Sequence, residues 1–160
     1  MKLDLVIEEL HRSENALRHD LLVVSDRHKT DHEVFHVARD LAQWSADHVR
    51  ELAQIGRDFG LELEAEAESE AKLAERLREK SAELLGRRSA PGMLMLRDLR
   101  ELYLKASGVS LDWEMLAQAA QGARKIELLE LAERCHPDTL RVTRWANGKL
   151  KVSSTQVLIS

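Results

Sequence analysis

Apolar residues return every three or four positions over long stretches of this chain, and a rhythm of that kind is satisfied by little other than packed α-helices. Leu3, Ile7, Leu10, Leu17, Leu21 and Val24 fall on one face, so the spacing predicts a first helix from about Asp4 to Val24. Glu14 occupies the one position of that stripe where a leucine is expected. A carboxylate placed there must find an arginine, a histidine or water, because burying it unpaired is costly. It therefore reads as a structural ion pair or as the mark of a functional pocket.

The second stripe is Phe35, Ala38, Leu41, Ala42, Val49, Leu52, Ile55 and Phe59, with the small Ser45 filling a gap. Thr30-Asp31-His32-Glu33 reads as a capping box at its start, and Gly60 is a natural stop. A turn as short as Ser25 to Lys29 makes the first two helices an antiparallel hairpin. Residues 64–86 read as a crossover helix with a thin stripe (Leu73, Leu77, Leu84), its acids early and its bases late, as the helix dipole favours. Ser89-Ala90-Pro91-Gly92 is a linker. A long third helix follows through Met95, Leu99, Leu102, Ala106, Val109, Trp113, Leu116 and Ala120, its phase unbroken across Gly108. After a turn at Gln121-Gly122, the last helix carries Ile126, Leu129, Leu131 and Ala132. It meets Pro137, which should bend it or restart it, and resumes through Leu140, Val142, Trp145 and Leu150. Residues 1–152 form one helical-bundle domain in this reading. Residues 153–160 are an irregular or partner-contacting tail.

Composition narrows the functional classes. The chain has 160 residues, 44% hydrophobic and 32% charged, with two prolines and seven glycines, the mixture of amphipathic helices. A net charge of −4 argues against a dedicated nucleic-acid binder and against anionic membrane surfaces. No apolar run approaches a membrane span. Cys135 is the only cysteine, which fits a reducing compartment, and a cytoplasmic protein is the expectation. There is no glycine-rich phosphate loop and no Gly-x-Ser-x-Gly elbow. Cys135 and His136 are adjacent on a helix and so point about 100° apart, which argues against a thiol–imidazole pair.

Two tetrapeptides raise metal chemistry. Glu33-Val-Phe-His36 and Glu133-Arg-Cys-His136 each place a carboxylate and an imidazole on one helix face. The order helix, short turn, helix, long crossover, helix, short turn, helix resembles the ferritin-like superfamily. That resemblance implies a left-handed bundle whose core holds two metal ions, with one helix of each pair supplying a Glu and the other a Glu-x-x-His. It implies iron, or alternatively zinc, held by Glu33, His36, Glu133 and His136, with Glu14 and Glu101 as the carboxylates of the first and third helices. Counting residues along the helices sets the two motifs roughly 15–20 Å apart in height, so the pattern is incomplete. The same count brings His11, His48, Asp112 and His136 to similar heights near mid-bundle, a set able to hold one zinc or similar ion.

The expectation is thus an all-α, ferritin-like four-helix bundle with a crossover helix between helices two and three. Three functions are compatible with it. The first is a non-enzymatic protein acting through self-association, as a homodimer, or through protein partners. The spare apolar material behind it is the crossover stripe, Phe59, Trp44 and the Val-Leu-Ile tail. The second is a metal-binding bundle with a redox or storage role. The third is a regulator whose basic last helix (Arg134, Arg141, Arg144, Lys149, Lys151) touches nucleic acid.

Overall fold

The computed structural model describes residues 1–66, 72, 75 and 92–160. Its long elements are α1 (Leu3–Arg27), α2 (His32–Gly56), α3 (Met93–Gly122) and α4 (Ile126–Ile159), with a 3₁₀ turn at Arg57–Phe59. No strand occurs among the described residues. The phase of α3 does run unbroken through Gly108.

Side-chain pairs fix how the helices run. Along the α1–α3 seam, the Ser13 hydroxyl donates to Asp112 Oδ2 (3.1 Å), Lys105 donates to Asp20 (2.6 Å) and Arg27 to Asp98 (2.8 Å). Each seven-residue step up α1 meets a seven-residue step down α3, so these helices are antiparallel. Across α2 and α4, Lys149 reaches Glu33, His48 reaches Asp138 and Arg134 reaches Glu51; these two are antiparallel as well. The hairpins α1–α2 and α3–α4 complete an up-down-down-up bundle. The chain leaves α2 beside Ile7, where Leu61 and Leu63 crowd Gly56. It enters α3 at the other end, where Gly92 abuts Val157 and Asp98 grips Arg27. The described ends of the connection therefore lie at opposite ends of the bundle.

The expected crossover helix is only partly described. Glu64 to Glu66 are extended or bent rather than helical, Lys72 and Glu75 are helical, and Leu73, Leu77, Leu84 and Pro91 lie outside the described residues.

The core is aliphatic, with Trp113 its largest fully buried side chain. Buried positions on α1 (3, 7, 10, 14, 17, 21, 24), α2 (34, 38, 41, 45, 48, 52) and α3 (99, 102, 106, 109, 113, 116, 120) alternate steps of three and four. That is the seam geometry of closely aligned helices. At about 25 cal/mol per Å² of apolar burial, such a core is the principal stabilising contribution.

Three local expectations are corrected. Asp31, not Thr30, caps α2, its carboxylate accepting from the Val34 amide at 3.1 Å. Lys149 of α4 binds the same carboxylate at 2.9 Å. Of the two outcomes expected at Pro137, a bend or a restart, the restart does not occur. α4 continues through the proline, with the Thr139 hydroxyl donating to the His136 carbonyl at 2.8 Å. Residues 153–159 are not irregular: they extend α4, because Ser153 is buried in the bundle and Val157 packs on Gly92.

Candidate functional site

Glu14 is the residue around which the interior is organised. It is fully buried, on the stripe of α1 that faces the three other helices. Its Oε1 accepts from Trp113 Nε1 of α3 at 2.7 Å and from His48 Nδ1 of α2 at 2.9 Å. Its Oε2 is buried with no hydrogen-bond partner among the described residues. The other ring nitrogen of His48, Nε2, meets Asp138 Oδ2 of α4 at 3.0 Å. Arg141, one turn further on, donates to Asp138 Oδ1 at 2.7 Å and stacks over Trp44, 5.6 Å from the ring centre. A single chain of charge-assisted hydrogen bonds thus runs from solvent to the core: Arg141, Asp138, His48, Glu14, Trp113.

The protonation of His48 follows from its neighbours. An ionised carboxylate only accepts, so a ring lying between two of them must carry a proton on each nitrogen. Burial works against that charge. The Cys135 thiol and Glu14 beside the ring outweigh it and raise its pKa to about 11. Burial pushes the Cys135 thiol itself up, against the lowering influence of His48. Around the ring, Cys135 and Glu14 are the groups that favour its charged form, and Glu14 and Asp138 are the acceptors its two nitrogens reach, at 2.9 and 3.0 Å. Asp112 flanks this layer. Burial raises its pKa, and the hydrogen bond from Ser13 opposes the shift.

The six residues expected to hold metal do not share this place. Glu14 alone lies in it. Glu33 is exposed at the α1–α2 end, bound by Lys149 at 3.0 Å and by the Trp145 indole at 3.3 Å. His36 is exposed, its ring edge-on to Phe35. Glu101 is exposed beside Arg100, and Glu133 is exposed on α4. His136 turns from the core to share a hydrogen with Ser110 Oγ at 2.8 Å. Arg134, next to Glu133, reaches Glu51, eighteen positions along α2 from Glu33. The two motifs are thus about 27 Å apart along the bundle. The mid-bundle set separates too: His11 Nε2 contacts the Glu64 carbonyl at 2.8 Å, Asp112 holds Ser13, His136 holds Ser110, and His48 alone enters the interior. Among the described residues, no group of three or more His, Cys, Asp or Glu side chains is arranged to hold a metal ion.

Of the basic residues on α4, Arg134, Arg141 and Lys149 are each engaged by carboxylates, at Glu51, Asp138 and the Asp31–Glu33 pair. No helix among the described residues is long and apolar enough to cross a membrane.

Two features escaped the sequence reading. Asp138 directly follows Pro137, where the sequence reading lets the helix bend or restart. Its signal was the i, i+3 spacing from Cys135, which puts both on the inward face of a continuous helix. The other is a second apolar stripe on α3, facing outward: Leu104, Gly108, Leu111, Met115 and Ala119, all exposed.

No family model, curated protein or solved structure matches this chain.

Proposed function

We propose that this chain is a ferritin-like bundle that works by association, as a homodimer, rather than by catalysis. The up-down-down-up order of the helices, with the described ends of the connection at opposite ends of the bundle, supports the ferritin-like layout. The observation that carries the association is the outer stripe of α3. Leu104, Leu111 and Met115 are 49%, 58% and 56% exposed. They repeat at steps of seven and four, and no charged residue interrupts them from Leu104 to Ala119. Monomeric surfaces seldom leave such contiguous apolar area to water.

The occupant it fits is a second copy, in a two-fold antiparallel pairing. Setting Leu104 against Met115 of the other copy brings Gly108 opposite Leu111. A Cβ on Gly108 would meet nothing within 4 Å, so there is room for a leucine to approach. Sedimentation velocity on the full chain tests this. A dimer that Leu111→Glu converts to a monomer with an unchanged helical spectrum is expected. A wild-type chain that stays monomeric from low to high micromolar concentration overturns it.

A further inference from the structure

The ferritin-like layout makes a demand on one particular layer. A two-metal carboxylate site in such a bundle takes one inward Glu from each of two helices and an inward Glu-x-x-His pair, spaced i and i+3, from each of the other two. The described residues contain a layer with that geometry, and it is not where the Glu-x-x-His tetrapeptides lie. It is built from Glu14 on α1, Trp113 on α3, Ser45 and His48 on α2, and Cys135 and Asp138 on α4. Glu14, Trp113, Ser45, His48 and Cys135 are buried, and Asp138 is a quarter exposed. The i, i+3 spacing holds on both α2 and α4. The single inward residues lie on α1 and α3. Hydrogen bonds from Glu14 to Trp113 and His48, and from His48 to Asp138, show that all four helices meet at this height.

The occupants do not fit the metals. Where a second single carboxylate is required there is the Trp113 indole, a donor with no lone pair to give. Its ring lies edge-on to His48, with centroids 5.7 Å apart, filling the space in which ions would sit. Where the α2 pair requires a carboxylate there is Ser45. Both nitrogens of His48 are engaged by carboxylates, so neither offers a lone pair. We infer that this layer is the ground plan of a two-metal carboxylate site in which the His48 ring, bridged between Glu14 and Asp138, stands in for the cations. The positive charge that two carboxylates need in a dry interior is then supplied by the chain itself. The inference rests on the ferritin-like layout proposed above and is independent of the dimer, so a monomeric protein would leave it standing.

Nitrogen-15 NMR of the histidine side chains in the full chain, with and without added manganese(II), iron(II) or zinc(II), tests the occupant. Expected are two ring N–H signals for His48 at neutral pH, neither lost on adding metal, and less than a tenth of an equivalent of metal retained after dialysis. Metal retained at one or two equivalents, and abolished by Glu14→Gln, overturns the inference. So does a His48 ring that carries one proton. The ground plan is tested by rebuilding it with Ser45→Glu, Trp113→Glu, Cys135→Glu and Asp138→His together. If this variant binds two manganese(II) or zinc(II) ions per chain while the wild type binds none, the plan is supported. A rebuilt chain that binds none, folded or not, overturns it.

Discussion

Replacing His48 by leucine removes the only cationic partner, among the described residues, of a carboxylate that is wholly out of water. In the wild type, Glu14 has one oxygen shared between His48 and Trp113 and one with no partner. After the substitution only the Trp113 indole remains. Breaking a buried ion pair from one side typically costs about 3–5 kcal/mol. For a chain of this size, that corresponds to a fall in Tm of roughly 6–20 °C. The cost reflects the orphaned charge rather than any large worth of the pair. Removing both charges, as in Glu14→Leu with His48→Leu, should therefore recover most of the loss. What remains is the unpaired Trp113 N–H, at about 1–3 kcal/mol. Asp138 keeps Arg141 as its partner in either variant. The double variant should accordingly be more stable than His48→Leu alone. Urea unfolding followed by far-ultraviolet circular dichroism, with m-values compared to confirm that the denatured state is unchanged, measures all four corners of the cycle. Additivity within about 0.5 kcal/mol would refute the reasoning, since it would mean that the two side chains are not coupled in the core.

Three further outcomes follow from the same structure. His48 is raised from 6.5 to about 11 by folding, so the stability its proton confers is complete below pH 6.5 and is lost as pH climbs toward the folded value. Urea midpoints should fall from pH 7 to pH 10 in the wild type, and fall less in His48→Leu. Cys135 is buried and its thiol is held neutral, so iodoacetamide should label it at the rate of unfolding, as followed by mass spectrometry; rapid labelling of the native chain would contradict its placement. Gly92 has a φ of +84° and a Cβ there would sit 2.5 Å from Val157 Cγ2, so Gly92→Ala should lower stability by about 1–3 kcal/mol, with Val157→Ala relieving part of the loss in a thermal melt.

The rhythm of leucines made the four helices legible, and on α1 it was legible to the residue. Glu14 stood out because it broke that rhythm, and its need for a partner followed from desolvation alone. The partner did not follow. On α2 the stripe read through Phe35, whereas Val34 faces the core and Phe35 is only partly buried. Ala38, Leu41, Ala42, Ser45, Val49 and Leu52 of that stripe are buried as expected, and His48 lies inside it, a polar residue that an apolar rhythm does not register. On α4 the expected Leu131, Ala132 and Val142 are buried, whereas Ile126 is exposed and Leu129, Leu140, Trp145 and Leu150 are only partly buried. Leu128, Cys135, Thr139, Ala146 and Ser153 are buried as well, several of them too small or too polar to register as core. The Glu-x-x-His tetrapeptides drew attention because their composition was right. Which layer a residue occupies depends on helix heights and phase, and a local motif carries neither. The outward stripe of α3 was hidden behind the inward one, since a helix carrying two apolar faces has a weak periodic signal.

The polar residues also settle a question that the aliphatic core leaves open. Leucine stripes with a seven-residue repeat pack almost equally well when one helix slides past another by a whole repeat, so the stripe alone does not fix the register of α1 against α3. The charged seam does. In the observed register, Asp20 meets Lys105 and Arg27 meets Asp98. A slide of seven residues in one direction would set Asp20 against Asp98 and Glu14 against Ala106. A slide in the other direction would set Asp20 against Asp112 and Arg27 against Lys105. Either displacement replaces attractive pairs with like charges and strips the indole from Glu14. The Lys105–Asp20 pair is partly exposed and contributes little stability by itself, about 0.2–1 kcal/mol, while Arg27–Asp98 is largely buried. Their effect is instead to penalise the two nearest competing packings. The buried Glu14 and His48 do the same at mid-bundle, because only the native alignment gives the carboxylate both a ring nitrogen and an indole.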